Sequence, residues 1–514
     1  SALTSGVGGF VIVGHAGRTY SGESVSYAGD LNGDGLADLL IGAPYIGYSA
    51  TTIGQAAGGA YVVYGKSSGT AVDASSATTL GANGMYIKSA GSTDNTGFWA
   101  TAAGDVNGDG LSDLVISTTN SKSYVVFGTK NNTAIDLSAI EAGVGGFELI
   151  GDSGTGAGKA ISAAGDVNGD GLADILVGGS GAGAGITGGV VYVVFGKTST
   201  SAVTLSTNTN GFQLTNSLGG GDYGLSVAAS GDVNGDGLAD IILGQDAIGT
   251  NGNSLNGRAF IVFGKTSNTT FDVQTLAAGT SSLGFVINGQ ASSDNLGANV
   301  SYAGDINGDG LADLIVSSPS SDITGAADAG KAYVIYGKTN GSVVQISDLV
   351  ARNGGFVIQG QSVNDNLSLS AVQGGVSNAG DVNGDGYSDL IVSAYNRING
   401  LRANYIIYGG PGYISGTVAL GTGTAADEYV VGTNGADTLV GNGGSDRFSA
   451  GTGNDIIVLQ ASDVTNLANN TITTVKASVD GGEGFDTVRL TGGTNLDLTA
   501  ISNVGAMTGA TGEN

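Results

Sequence analysis

The sequence predicts an all-β chain: a six-bladed β-propeller closed by an N-terminal strand, then a short parallel β-roll. Three observations predict it. First, Asp30-Leu31-Asn32-Gly33-Asp34-Gly35-Leu36-Ala37-Asp38 returns five more times, at Asp105, Asp166, Asp232, Asp305 and Asp381, as Asp-x-Asn-Gly-Asp-Gly-x-x-Asp, with spacings of 61 to 76 residues. Second, four short β-branched or aromatic runs surround each copy, and four strands per repeat let small sheets bury both faces against their neighbours. Third, the period shortens to nine residues after residue 431.

Taken in order, the chain opens with Gly9-Phe10-Val11-Ile12-Val13-Gly14, a Gly-Phe strand that returns near Phe147, Phe212, Phe285 and Phe356, with Met85 in the Phe place once. A small-residue strand such as Ser24–Gly29 follows, then the nine-residue loop, then an apolar strand such as Leu39-Leu40-Ile41-Gly42. The next strand, Tyr61-Val62-Val63-Tyr64-Gly65, recurs at Tyr124, Tyr192, Phe260, Tyr333 and Tyr405. No long run has helical period, and Gly, Ser, Thr, Asn and Asp fill the gaps, so almost no helix is expected before residue 410. The sixth unit ends at Tyr408 with no Gly-Phe strand after it, while the chain begins with one. Residues 9–14 are therefore expected as the outermost strand of the last blade.

The nine-residue loops carry calcium-type chemistry. If the backbone curls as in an EF-hand, oxygens at positions 1, 3, 5 and 9 and the position-7 carbonyl point inward, and hard oxygens suit a hard cation. Gly at position 6 permits the sharp turn. The expected ligands are Asp30, Asn32, Asp34, Leu36 and Asp38; Asp105, Asn107, Asp109, Leu111 and Asp113; Asp166, Asn168, Asp170, Leu172 and Asp174. The remaining loops supply Asp232, Asn234, Asp236, Leu238 and Asp240; Asp305, Asn307, Asp309, Leu311 and Asp313; and Asp381, Asn383, Asp385, Tyr387 and Asp389. A full EF-hand would add Glu at position 12 and flanking helices; here β-rich sequence follows at once, so these are strand-to-strand loops. Asn-Gly and Asp-Gly are also ordinary hairpin dipeptides, but six copies with every acid in place exceed what turns require.

Composition narrows the class. Ninety-six Gly, three Pro and 40% hydrophobic residues describe a glycine-punctuated chain able to build a core. The net charge is −27, and eighteen of the 44 Asp and Glu belong to the six loops. Six bound divalent ions would leave −15, so much of the acidity is ligand chemistry. Nucleic acid is excluded as a partner because no Lys/Arg cluster supplies its footprint. No Cys is present, which excludes disulfides and thiolate sites and suits a bacterial exported chain. No apolar run reaches the length of a membrane span.

Beyond Gly410-Pro411-Gly412, residues 411–431 read as a linker and entry to a second module. There Gly432-Thr-Asn-Gly-Ala-Asp437, Gly441-Asn-Gly-Gly-Ser-Asp446 and Ala450-Gly-Thr-Gly-Asn-Asp455 each precede an apolar stretch. Such coils stack as a parallel roll, with Asp437, Asp446 and Asp455 and turn carbonyls binding further ions between coils. Residues 490–504, with Leu490, Leu496, Leu498 and Ile501, are expected to cap the roll.

The stretches Gly104 to Asp113 and Gly165 to Asp174, with Gly42-Ala43-Pro44, resemble the FG-GAP repeats of integrin α-chain propellers, over residues 1–410. That resemblance implies calcium-stabilised blades and brings in a seven-bladed alternative, since integrin-like propellers have seven; a further blade would lie before Ser1 or come from after residue 410. Residues 432–514 resemble the RTX, or hemolysin-type, repeats of bacterial type I secreted proteins, with Asp480-Gly481-Gly482-Glu483-Gly484-Phe485-Asp486 as a later copy. The mid-repeat start and the end at Asn514 suggest a fragment of a longer polypeptide.

No catalytic constellation is legible. His15 is the single histidine, too few for a His-rich zinc site, and is expected to be solvated or packing. Trp99 is alone and reads as blade packing. Lys66, Lys130, Lys197, Lys265 and Lys338 follow the Tyr-Val-Val-Phe strands; a basic ring is one reading, and solvated strand ends are the default. The expected function is a non-catalytic, calcium-stabilised extracellular or cell-surface adhesion-type module with about six calcium ions in the propeller and more in the roll. It would fold on calcium after export and bind a protein or glycan ligand or itself. The alternatives are an accessory part of a secreted calcium-dependent hydrolase, or a self-assembling surface-layer or filament subunit.

Overall fold

The computed structural model describes residues 9–490 apart from 15–18, 48–55, 75–79, 153–155, 180–188, 218–222, 247–255, 292–293, 324–325, 351–353, 361–362, 369–374, 395–402, 411–415, 421–427, 432–437, 442–445, 450–454, 460–463, 469–470, 476–477 and 481–486. His15, Asp437, Asp486 and the expected cap beyond Leu490 lie outside the described residues.

Each of the first five repeats builds one antiparallel four-stranded sheet. In the second these are Ala100–Gly104, Asp113–Ser117, Lys122–Val126 and Gly146–Ile150. The middle strands are largely buried, some along their whole length, as in Asp113–Ser117 and Val190–Val194. β-Branched and aromatic residues favour this because both faces of each strand have a neighbour to pack against. The first hairpin of every repeat carries a β-bulge just before the loop, between Ala102 and Gly104 for example. The bulge bends the strand into the loop, and the residue it skips is small and buried in five repeats: Ala28, Ala103, Ala164, Ser230 and Ala303.

The sheets stack face to face in chain order. One apolar cluster joins Val115, Val125 and Phe147 of the second sheet to Ile161, Ile175 and Val177 of the third. Corresponding clusters join each sheet to the next up to the sixth. A short fifth strand, absent from the sequence reading, comes from the following repeat and pairs in parallel, as Val203–Thr204 does with Leu149 and Ile150. Short helices precede some Gly-Phe strands, such as Leu137–Glu141, capped by the Asp136 side chain accepting from Ser138 N–H.

The two ends of the stack differ from its interior. Ile12–Val13 pairs in parallel with Val72–Asp73, and Phe10 and Ile12 pack on the outer face of the first sheet. The sixth sheet holds three strands, Val376–Gly380, Asp389–Ala394 and Ala403–Ile407. Among the described residues no pairing joins 9–14 to it, and no sheet closes.

The stretch expected as linker and roll entry contains a strand, Gly416–Leu420, which pairs in parallel with Phe356–Gln359 and fills the fifth-strand place of the fifth sheet. Glu428–Val431, Arg447–Ser449 and Ser478–Asp480 extend that sheet in parallel. Thr438–Val440, Ile456–Leu459 and Thr487–Leu490 form a second parallel sheet. Strands alternate between the two sheets along the chain, the wiring of a parallel roll, and Val430, Leu439, Phe448, Ile457 and Leu459 fill the space between. A hairpin, Val464–Ala468 with Thr471–Val475, interrupts the alternation; it was not expected from the sequence.

Candidate calcium loops

Each nine-residue loop is folded around its own acids. In the third, Asp166 Oδ1 accepts from Gly169 and Asp170 N–H at 2.7 and 3.1 Å, and Oδ2 accepts from Gly171 N–H at 2.8 Å. Asn168 Oδ1 accepts from Asp170 N–H at 2.7 Å, and Asp170 Oδ1 accepts from Leu172 N–H at 2.9 Å. The same frame recurs in the first and sixth loops, around Asp30 and Asp381. Side chains at positions 1, 3 and 5 thus fold back onto the loop backbone, and Gly171 takes φ +87°, where a β-carbon would be strained.

Position 9 has a structural role that the sequence analysis did not give it. Asp174 is fully buried, and its two oxygens accept from Val167 N–H and Gly196 N–H, both at 2.8 Å. It staples the loop to the end of the third strand. The partner glycine, one of Gly65, Gly128, Gly196, Gly264, Gly337 and Gly409, was missed by sequence reasoning, although its recurrence after every Tyr-Val-Val-Phe run was the available signal.

Burial pushes Asp113, Asp174, Asp240 and Asp313 up to about 7, against the lowering effect of their two amide bonds; the position-5 and position-1 carboxylates add repulsion. Asp38 is raised for the same reasons. Among the described residues, the ion pairs involve Lys88 and Lys122 with Asp136, Glu141 and Glu148, and none touches a loop acid. Nor do three His, Cys, Asp or Glu side chains converge as an all-acid cage. The donor set the loops turn inward is mixed, carboxylates and an Asn amide oxygen, all hard oxygens that no ion pair neutralises among the described residues. That chemistry fits calcium.

In the roll, Asp446 and Asp455 are buried at the starts of their strands. A β-carbon on Gly441 would lie 2.1 Å from Asp446 Oδ2, so the Gly441 backbone lies close against that carboxylate. These two positions fit an ion held between coils.

The expectation that the lysines are solvated strand ends is corrected for four of them. Lys66, Lys197, Lys265 and Lys338 place Nζ over the Phe10, Phe147, Phe212 and Phe285 rings at 4.7, 4.2, 3.7 and 4.2 Å. Cation–π attraction and a long apolar stem fold each lysine across to the preceding Gly-Phe strand. In the second repeat, Thr129 occupies the lysine place and Lys130 follows it, and the facing residue is Met85 in place of Phe. Trp99 packs against the cluster between the second and third sheets, as expected.

Comparison with known families matches this layout. The FG-GAP repeat profile matches residues 21–63, 299–335 and 374–415, and the FG-GAP-like repeat profile matches 105–177. The RTX calcium-binding nonapeptide repeat profile matches 422–457. Integrin alpha-PS2 of Drosophila melanogaster is 28% identical over 193 residues, 36% of this chain, and phosphatidylinositol-glycan-specific phospholipase D of Rattus norvegicus is 40% identical over 88 residues, 17% of this chain. The chain spans 12% and 9% of the length of these relatives. The crystal structure of the V. cholerae biofilm matrix protein Bap1 aligns with 64% of this chain and 40% of its own, at 18% identity and a TM-score of 0.28. The chain carries FG-GAP repeats followed by RTX calcium-binding nonapeptide repeats.

Proposed function

We propose that this chain is a non-catalytic, calcium-stabilised module of a secreted bacterial protein that acts outside the cell or on its surface, in adhesion or assembly. The observation that carries the reading is the recurrence of one oxygen-lined loop frame in FG-GAP repeats, joined to a run of RTX calcium-binding nonapeptide repeats. In each loop, Asp at positions 1, 5 and 9, Asn at position 3 and the position-7 carbonyl would hold one ion. Asp446 and Asp455, with Asp437, would hold further ions in the roll. Calcium supplies positive charge that the chain itself does not place among these acids. In a cytosol poor in free calcium the loop acids repel one another; at millimolar calcium outside, binding to the folded loops drives folding.

The reading extends to architecture: six sheets close into a six-bladed ring, with residues 9–14 as the fourth strand of the sixth. Gly9 has φ +150°, close to the +141° to +158° of the glycines that open the other Gly-Phe strands. Lys66 covers Phe10 as Lys197 covers Phe147. The ligand is a protein, a glycan or a second copy, bound on inter-strand loops away from the calcium loops. Among the described residues no helix is long and apolar enough to cross a membrane. Thermal unfolding in calcium and in excess chelator tests the reading: the melting temperature is expected to fall by about 10 °C or more without calcium, and an unchanged curve overturns it.

A further inference from the structure

The six loops are not separate clasps on separate sheets. At each of the five junctions, the position-1 carbonyl of one loop accepts from the position-8 N–H of the next. Asp166 O accepts from Ala239 N–H at 2.9 Å, and this bond recurs from Asp30 to Asp305. The position-2 carbonyl accepts from the residue after the next repeat's strand-ending glycine, as Val167 O does from Lys265 N–H at 2.8 Å. Side chains nest at the same places. A β-carbon on Gly169 would lie 3.0 Å from Leu238 Cδ2, so position 4 of the third loop rests against position 7 of the fourth.

These contacts join the parts of each loop that an ion would fix. Position 1 supplies a ligand through its side chain and a junction bond through its carbonyl. Position 7 supplies a ligand through its carbonyl and the nesting contact through its side chain. An ion that fixes the backbone at positions 1 and 7 of one loop therefore fixes groups that the neighbouring loop packs on. Ordering one site lowers the conformational cost of ordering the next, which is the physical origin of positive coupling.

We infer that calcium binding is cooperative between adjacent loops, running from loop to loop through the position-1 and position-2 carbonyls and the nested position-7 side chain. This rests on the calcium reading above.

The test is hydrogen exchange measured by mass spectrometry on the full chain, titrated with calcium, with a protection midpoint read for each loop. Asp170→Asn weakens the third loop. The expected result is a midpoint raised about 5-fold or more in the second and fourth loops as well as the third, with little change in the sixth. Leu238→Ala keeps every ligand and guards against misfolding of the first variant. It is expected to flatten the titration of the third and fourth loops from a Hill slope of about 2 towards 1. A midpoint shift confined to the third loop, with an unchanged slope in Leu238→Ala, overturns the coupling while leaving the calcium reading intact. No calcium-dependent protection in any wild-type loop overturns the calcium reading, and the coupling with it.

Discussion

Lys265 holds its ammonium 3.7 Å from the centre of the Phe212 ring, bridging the fourth repeat to the Gly-Phe strand of the third. The same ammonium donates to Ser267 O at 2.9 Å and to Thr269 O at 2.7 Å. Water is largely excluded, since Lys265 is 8% exposed, so these contacts offset part of the lost hydration and also tie two sheets together.

Replacing this pair is expected to show coupling. Lys265→Met and Phe212→Leu should each cost about 1 kcal/mol, and the double variant less than their sum by roughly 0.5–1 kcal/mol. Urea unfolding of the four proteins measures it. Strict additivity would remove the ring contact as a source of stability.

A pH dependence follows from the same burial. Burial pushes Lys265 and Lys338 down to about 8, whereas an unfolded lysine titrates near ~10.4. Between those values the unfolded chain binds more protons, so these groups make stability rise with pH; below about 8 their penalty is fully present. Urea midpoints from pH 7 to 10.5 are expected to climb from this contribution, and Lys265→Met should reduce the climb. An identical slope in the variant contradicts this.

The staple at position 9 predicts a cost independent of metal. Asp174→Asn turns one acceptor into a donor facing an N–H and is expected to lose about 2 kcal/mol even in chelator. Gly196→Ala would set a β-carbon 2.5 Å from Leu172 Cβ and 2.8 Å from Ala173 O, at a cost of about 2 kcal/mol from overpacking. Unfolding in chelator separates this from calcium: wild-type stability in both variants would mean the staple contributes nothing.

Much of this was legible in the sequence. Loop spacing and the Gly-Phe and Tyr-Val-Val-Phe runs placed four strands per repeat, because β-branched runs between Gly-rich turns admit few other arrangements. The inward turn of positions 1, 3 and 5 followed from Asp and Asn chemistry. What stayed hidden depends on partners far along the chain. The aim of Lys197 is set by Phe147, and the role of Asp174 by Gly196 N–H. In the first four sheets the fifth strand is two residues long, too short for a periodic signal. Met85, facing the repeat that carries Thr129 in the lysine place, is the clue to the clasp that the sequence holds.

Ring closure makes a register prediction. In the second sheet Phe147 lies opposite Val125 and Leu149 opposite Ser123, so closure sets Phe10 opposite Ile406 and Ile12 opposite Asn404. The chain has no Cys, so Ile12→Cys with Asn404→Cys is clean, and Val13→Cys with Ala403→Cys samples the alternate hydrogen-bonding position. Oxidation is expected to give an intramolecular disulfide in at least one pair, seen as a fast-migrating monomer on non-reducing gels. Only intermolecular ladders, or no cross-link in either pair, would contradict closure.

The six loops are proposed to be built around calcium. Elemental analysis of the purified chain, after equilibration with calcium and gel filtration, tests this most directly. Six loops and a roll predict about six or more tightly held calcium ions per chain, with about one fewer when Asp166→Ala and Asp170→Ala are combined. Less than one calcium per folded chain would contradict the account.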